Sequence, residues 1–201
     1  MLQKFLLLFV LFNFTLGAQS PKVSGPELGW ALAHPFAAIK IKRLTNTCNQ
    51  LNSVSKPTLQ LDSFSNGGKA DAYRHAFYMA AYAQKITIRK LRKLGRAHEK
   101  ANYQQFLKAK KEDGEVADSL SCVMDLANNE LGFKIGSEHK KNALKELSLI
   151  TIKEIQNGQA IIMKRDGQGN YLMCDGRRIN LSLYRGVWYV PKCLVKSSDG
   201  K

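Results

Sequence analysis

Apolar residues recur at three- and four-residue intervals through most of the first 157 residues, a spacing that predicts amphipathic helices. The first predicted helical region covers residues 27–43, is broken or started at the His34-Pro35 step, and is extended by 44–51. The further predicted helices cover residues 66–83, 86–111, 115–131 and 138–155. A loop rich in Ser, Thr and Pro over 53–65 leads into the helix at 66–83. Gly132 and Gly136 are interpreted as the end of the helix over 115–131 and the turn that follows it.

The pattern changes after Gly158, where short apolar runs alternate with Gly-containing turns. These runs predict strands over 160–164, 171–174, 179–183 and 187–190. The fold class is therefore predicted to be mainly α. We expect a compact helical domain of four to five helices over 27–157, followed by a small C-terminal antiparallel β-meander over 158–195.

The first residues have the pattern of a secretory signal peptide. Lys4 precedes the apolar run FLLLFVLF, and small residues surround a cleavage point before Ala18. We therefore predict a signal peptide over 1–17 and a secreted or periplasmic mature protein. No later apolar run approaches the roughly 20 residues of a spanning helix, so no transmembrane segment is expected after cleavage.

An oxidising compartment permits disulfides between the four cysteines, Cys48, Cys122, Cys174 and Cys193. The preferred pairing joins Cys174 to Cys193, since both lie in the strand-like tail, and leaves Cys48 for Cys122. Four separate buried thiols are the alternative. No C-x-x-C spacing occurs, which argues against a structural zinc knuckle.

The formal net charge of +15 favours binding to polyanions such as nucleic acid, lipopolysaccharide, teichoic acid or an anionic membrane. The lysines are scattered over many segments, however, and a charge that only keeps the protein soluble explains them as well. Charge alone therefore leaves the partner open.

The helix at 66–83 carries one unusual polar line. Asp71, Arg74, His75 and Tyr78 fall at i, i+3, i+4 and i+7 and share one face of a segment that is otherwise small and apolar. Ordinary solvent faces in this chain are rich in lysine, and this line contains none. It is therefore a candidate wall of a site.

Two more helices carry polar residues of the same kind. His98 and Glu99 lie in the helix at 86–111, and Asp125, Asn128 and Asn129 lie in the helix at 115–131. If these faces converge, two imidazoles and several carboxylates could bind a divalent metal that activates a water. Alternatively, one His oriented by a carboxylate acts as general base while Arg74 and the amides stabilise a developing anion.

Each group also has a structural explanation. Asp71 and Arg74 suit a helix ion pair, His75 suits a half-buried histidine with satisfied hydrogen bonds, and the whole set suits a buried polar network. The His98-Glu99 pair does not belong to a zincin motif, because Asn102 stands where a second His is required.

The motifs D-A-Y-R-H-A at 71–76, H-E at 98–99 and M-D-L-A-N-N-E-L-G at 124–132 resemble a bacterial family of helical domains of unknown function. Such domains occur in secreted proteins and in toxin-like modules. The resemblance covers roughly residues 30–137 and implies that the motif residues form one group. A fainter similarity links the Arg-His pair to secreted phospholipases A2, but Ala76 stands where those enzymes carry Asp.

These observations predict a secreted, basic, hydrolase-like protein, with a divalent metal as the candidate cofactor and an anionic envelope component as the candidate substrate. The alternative is a non-catalytic polyanion- or envelope-binding module, using the basic helix and exposed Trp188 and Tyr189, with a structural polar centre. The candidate catalytic residues are His75, His98, Glu99, Asp71 and Arg74, the candidate binding residues are Asn128, Asn129 and Tyr78, and the candidate metal ligands are Asp71, His75, His98 and Asp125.

Overall fold

The computed structural model describes residues 24–55, 60–109 and 117–199. Within these ranges the chain forms six α-helices and one two-stranded antiparallel sheet, which confirms the predicted fold class. The helices are α1 (Gly25–Ala33), α2 (Pro35–Ser55), α3 (Lys69–Ala83), α4 (Ile88–Ala109), α5 (Ser119–Glu138) and α6 (Leu144–Gln156), and the strands are β1 (Ile161–Met163) and β2 (Leu194–Lys196).

The predicted signal peptide over 1–17 lies outside the described residues. None of the helices in the described ranges has the length and apolarity that crossing a membrane requires.

The closest helix crossing joins α3 to α5, and two glycines make it possible. A Cβ atom at Gly132 would stand 2.3 Å from the backbone oxygen of Ala76, and one at Gly136 would stand 2.2 Å from that of Ala80. The expectation that these glycines end the helix is therefore wrong, because α5 continues through both to Glu138. Their missing side chains let α3 and α5 pack backbone against backbone, which brings the polar residues of both helices together.

The tail after α6 contains less regular structure than its pattern predicts. The predicted strand at 160–164 is present as β1, but its partner is β2, which lies beyond the four predicted strands. Residues 171 and 172 form only isolated bridges, and Leu181–Tyr184 forms a short 3-10 turn. The apolar residues of this tail alternate because they pack into a second small core around Met124 and Tyr171. They do not form the predicted β-meander.

Cys174 and Cys193 form a disulfide, as predicted. The predicted pairing of Cys48 with Cys122 is wrong, because both are free and buried thiols. Cys48 packs in the main core on α2, whereas Cys122 lies on α5 beside Glu99. Each thiol thus belongs to a different environment.

Strand β1 is fastened to the helical region through two hydrogen-bonded contacts. The side-chain amide of Asn128 donates to the carbonyl of Ile161 at 2.8 Å and accepts from its N–H at 3.0 Å. The N–H of Met163 donates to the carbonyl of Gly67 at 2.8 Å, in the loop before α3. β1 therefore bridges α5 and the start of α3.

We expect Asn128→Ala to lower the free energy of unfolding by about 3 kcal/mol, because it leaves the N–H and carbonyl of Ile161 without partners. Chemical denaturation measures this loss. The exposed amide of Gln104 supplies the control, and Gln104→Ala should change stability by less than about 0.5 kcal/mol. A loss below about 1 kcal/mol for Asn128→Ala would show that this contact is not important for stability.

Candidate metal centre

Three predicted ligands meet where α3 crosses α5. One ligand atom from each of Asp71, His75 and Asp125 lies within 4.8 Å of the other two. The Nε2 atom of His75 stands 3.3 Å from Oδ1 of Asp125 and 3.7 Å from Oδ1 of Asp71. Ligands at about 2.1 Å from a tetrahedral cation stand about 3.4 Å apart, so these separations match a first coordination shell.

The loop before α3 fixes the carboxylate of Asp71. Its Oδ2 accepts from the N–H of Gly67 at 2.7 Å, and its Oδ1 accepts from Arg74 at 2.5 Å. Gly67 has φ +74°, and a Cβ atom there would stand 2.6 Å from Sδ of Met163, so only glycine fits. Arg74 uses one lone pair of Oδ1 and leaves the other available for a cation.

Three buried oxygens at this crossing have no well-aligned N–H or O–H donor among the described residues. They belong to Asp125 (Oδ1), Glu99 (Oε1) and Asn129 (Oδ1), whose residues are 7%, 8% and 3% exposed. A buried carboxylate or amide oxygen without a donor is costly, and native proteins rarely tolerate such atoms without a ligand or ordered water. Asp125 and Asn129 lie beside His75, and the charge of Glu99 acts on Asp125, so these oxygens mark the crossing as a candidate site.

The electrostatics of the centre are those of crowded carboxylates. Burial, followed by the charges of Asp71 and Glu99, raises the pKa of Asp125 to about 9. Burial likewise raises the pKa of Asp71 against the opposing charge of Arg74, and raises the pKa of Glu99. Like charges held this close destabilise one another, a pattern concentrated at functional sites.

His75 is neutral at physiological pH. Burial, helped by the charges of Arg74 and His98, lowers the pKa of His75 to about 3. Asn129 lies beside the same ring. Neutral imidazole is the form that coordinates metals.

Glu99 enters the centre from α4. Its Oε2 accepts from the amide of Asn102 at 2.9 Å, and its carboxyl also lies against the thiol of Cys122. Among the described residues, the weak S–H donor of Cys122 is the one further hydrogen-bond partner of this carboxyl, and Oε1 accepts from no N–H or O–H group. One oxygen thus positions the group and the other is available for chemistry.

His98 and Arg74 lie at the exposed edge of the centre, with side chains 43% and 52% exposed. Nδ1 of His98 bonds Oε1 of Glu27 on α1 at 2.8 Å. Burial opposes protonation of His98, but the hydrogen bond to Glu27 and the charges of Glu99 and Glu27 outweigh it, so the pKa of His98 is raised. His98, predicted as a metal ligand, is not among the three residues that meet.

Two predicted binding residues have structural partners. Asn128 uses its amide to hold Ile161. The hydroxyl of Tyr78 donates to Asn49 and accepts from Asn52 at 3.1 Å, so it points to α2 and not to the centre. Asn129 is the one predicted binding residue that faces the crossing, and it also lines a cleft of about 290 Å³ between α4 and α5.

Sequence reasoning missed Cys122, Asn102 and Glu27. Cys122 lies three residues before Asp125 and Asn102 three residues after Glu99, so helical spacing places both on the faces already singled out. The sequence pattern instead favours a disulfide for Cys122, and Asn102 stands out only as the position where a zincin motif requires His. No local signal connects Glu27 to His98, because 71 positions separate them.

The motifs that build this centre lie in a known family region. The model of a domain of unknown function, DUF6973, matches residues 28–159. The chain belongs to this family. All three metal-centre residues, Glu99 and His98 fall within the DUF6973 region, whereas β1, β2 and the disulfide lie beyond it. No curated protein and no solved structure matches the chain.

Proposed function

We propose that the protein is a metal-dependent hydrolase whose divalent cation is held by Asp71, His75 and Asp125. The observation that supports this most directly is the approach of one nitrogen and two carboxylate oxygens to within 4.8 Å on two rigid helices. One nitrogen with two oxygen ligands suits zinc or a similar transition ion, and three protein ligands leave a position open for water.

A divalent cation there would polarise a bound water and bring its pKa toward neutrality. Glu99 is the general base in this scheme, since its Oε1 is buried and unpartnered while Asn102 fixes the other oxygen. The cation would supply a polarised water as the nucleophile, and Glu99 would take the proton of that water and return it to the leaving group.

The substrate class follows from the rim of the centre. Arg74 and His98 lie at this rim with about half of each side chain exposed, although each also pairs with a carboxylate, of Asp71 and Glu27 respectively. Two cationic groups beside a metal centre suit a phosphoryl or carboxyl group. Together with the net charge of +15, this favours an anionic envelope component such as a phospholipid or a cell-wall polymer.

The first test is cation binding by the mature chain after treatment with a chelator. We expect one zinc or manganese ion per chain by elemental analysis, and stabilisation by about 2.7 kcal/mol when the free cation reaches 100 times its Kd. His75→Ala and Asp125→Asn should weaken binding by at least about 100-fold, since even outer-shell changes cost up to that much. His139→Ala and Asp175→Asn are matched controls outside the centre and should leave binding unchanged.

The second test separates catalysis from binding. Glu99→Gln should retain the cation but lower hydrolysis of anionic phospholipids or cell-wall polymers by about 10² to 10⁴-fold. If the wild-type chain binds the cation fully but hydrolyses neither anionic phospholipids nor cell-wall polymers, the metal site is structural and the hydrolase proposal is rejected. A wild-type chain that binds no cation would reject the centre itself.

A further inference from the structure

The loop over 181–189 displays an unusual density of exposed apolar side chains. Leu183 is 74% exposed and Tyr189 is 58% exposed, and they lie among four large exposed hydrophobics within nine residues. The four are Leu181, Leu183, Val187 and Tyr189. Scattered single apolar residues are normal on a surface, but such a group in one loop marks an interaction site.

The loop is held in one shape, so this exposure is a fixed property of the fold. The disulfide between Cys174 and Cys193 closes its base, and Asn180 caps the 3-10 turn. Trp188, expected from sequence to be exposed, is half-buried against Tyr103 and Phe106 of α4 with ring centroids 5.0 Å away in each case. Its carbonyl accepts from the N–H of Ser119 at the start of α5. Trp188 is therefore the anchor, and its neighbours point outward.

The segment that contains the loop is basic, and two of its arginines pair with aspartates that precede it. Between residues 176 and 190 the chain carries Arg177, Arg178 and Arg185 and no acidic residue. The Arg177 and Arg178 side chains are 76% and 61% exposed, although each pairs with an aspartate outside that stretch. Apolar side chains beside a basic surface are the combination that binds anionic lipid interfaces, where tyrosine is also favoured.

We propose that the loop over 181–189 docks the protein on the surface of an anionic lipid bilayer, with Leu183 and Tyr189 inserted at the headgroup level. A second copy of the chain fits this loop less well, because a stable protein interface needs about 20–30 residues a side. This proposal is independent of the metal centre, which lies in the helical region.

Sedimentation with vesicles tests the proposal, using the mature chain from Ala18 so that the apolar leader takes no part. We expect binding to phosphatidylcholine vesicles that contain phosphatidylglycerol, weak binding to pure phosphatidylcholine, and a decrease with salt. Leu183→Asp should lower the partition coefficient at least about tenfold. Leu149→Asp is the matched control, because Leu149 is 53% exposed on α6 and should not contribute.

Several outcomes would overturn the docking proposal. One is that the wild-type chain does not bind the anionic vesicles. Another is that Leu183→Asp binds the vesicles as well as the wild-type chain does. Equal binding of the wild-type chain to vesicles and to soluble polyphosphate would also overturn it, because the interaction would then depend on charge alone. A wild-type dimer that Leu183→Asp converts to monomer would assign the loop to self-association. Circular dichroism of Leu183→Asp verifies that the variant folds.

Discussion

Gly136→Ala is expected to destabilise the protein by about 3 kcal/mol or more, although alanine is the better helix former by about 1 kcal/mol. The added methyl carbon would stand 2.2 Å from the backbone oxygen of Ala80 and 2.8 Å from Cβ of Ala83. Backbone atoms cannot rotate away as a flexible side chain can, so α3 and α5 must separate. Thermal and chemical denaturation measure the loss.

Gly29→Ala is the control for this change. Gly29 also lies inside a helix, but an added Cβ atom there meets no atom of the described residues within 4 Å. This variant should gain up to about 1 kcal/mol from helix propensity alone. Equal effects of the two substitutions would show that the crossing of α3 and α5 is looser than its geometry indicates. Because the same crossing positions the three proposed metal ligands, Gly136→Ala should also weaken any cation binding there.

Lys192→Met is expected to cost about 3 to 5 kcal/mol, the range for breaking a buried ion pair from one side. The ammonium of Lys192 stands 2.6 Å from Oδ2 of Asp118, with side chains 7% and 4% exposed. Asp118 also caps α5, where its Oδ1 accepts from the N–H groups of Leu120 and Ser121. Methionine nearly keeps the length of the side chain, but it leaves the buried carboxylate of Asp118 without a cationic partner. Urea denaturation at neutral pH measures the change.

The exposed pair of Arg92 and Glu130 supplies the comparison. Its two side chains are 51% and 49% exposed, and Arg92→Met should cost less than about 1 kcal/mol. Asp118→Asn in the Lys192→Met background should recover part of the loss, because it removes the unpaired charge. A cost near that of Arg92→Met would show that solvent reaches Asp118 when Lys192 is absent.

Periodicity located the helices well, because apolar spacing on a helix reports directly which face is buried. It placed Asp71, His75 and Asp125 on lysine-free faces, and the structure brings those three together. Periodicity did not predict the role of residues whose contacts lie far away in the sequence. Gly132 and Gly136 look like helix ends locally, and only the approach of α3 reveals their use as contact points.

The same limit applies to the polar lines. Asn128 and Asn129 are neighbours in sequence with identical side chains, yet one binds the backbone of Ile161 and the other faces His75. About 100° of rotation around the helix separates them, and sequence does not tell which direction leads to a ligand and which to a strand. Tyr78 and His98 illustrate the point again, since their partners on α2 and α1 come from other parts of the chain.

Strand β1 lies just beyond the family region but forms hydrogen bonds with residues inside it. Similarity to the family stops at residue 159, but the next strand completes the hydrogen bonding of Asn128 and Gly67. Arg165 extends the bridge by donating to the carbonyl of Asn66 at 2.7 Å, next to the glycine that orients Asp71. A chain cut at the family boundary would keep all three proposed metal ligands and lose the contacts that β1 makes with α5 and with the start of α3. Contacts from beyond the matched region thus complete the hydrogen bonding of residues within it.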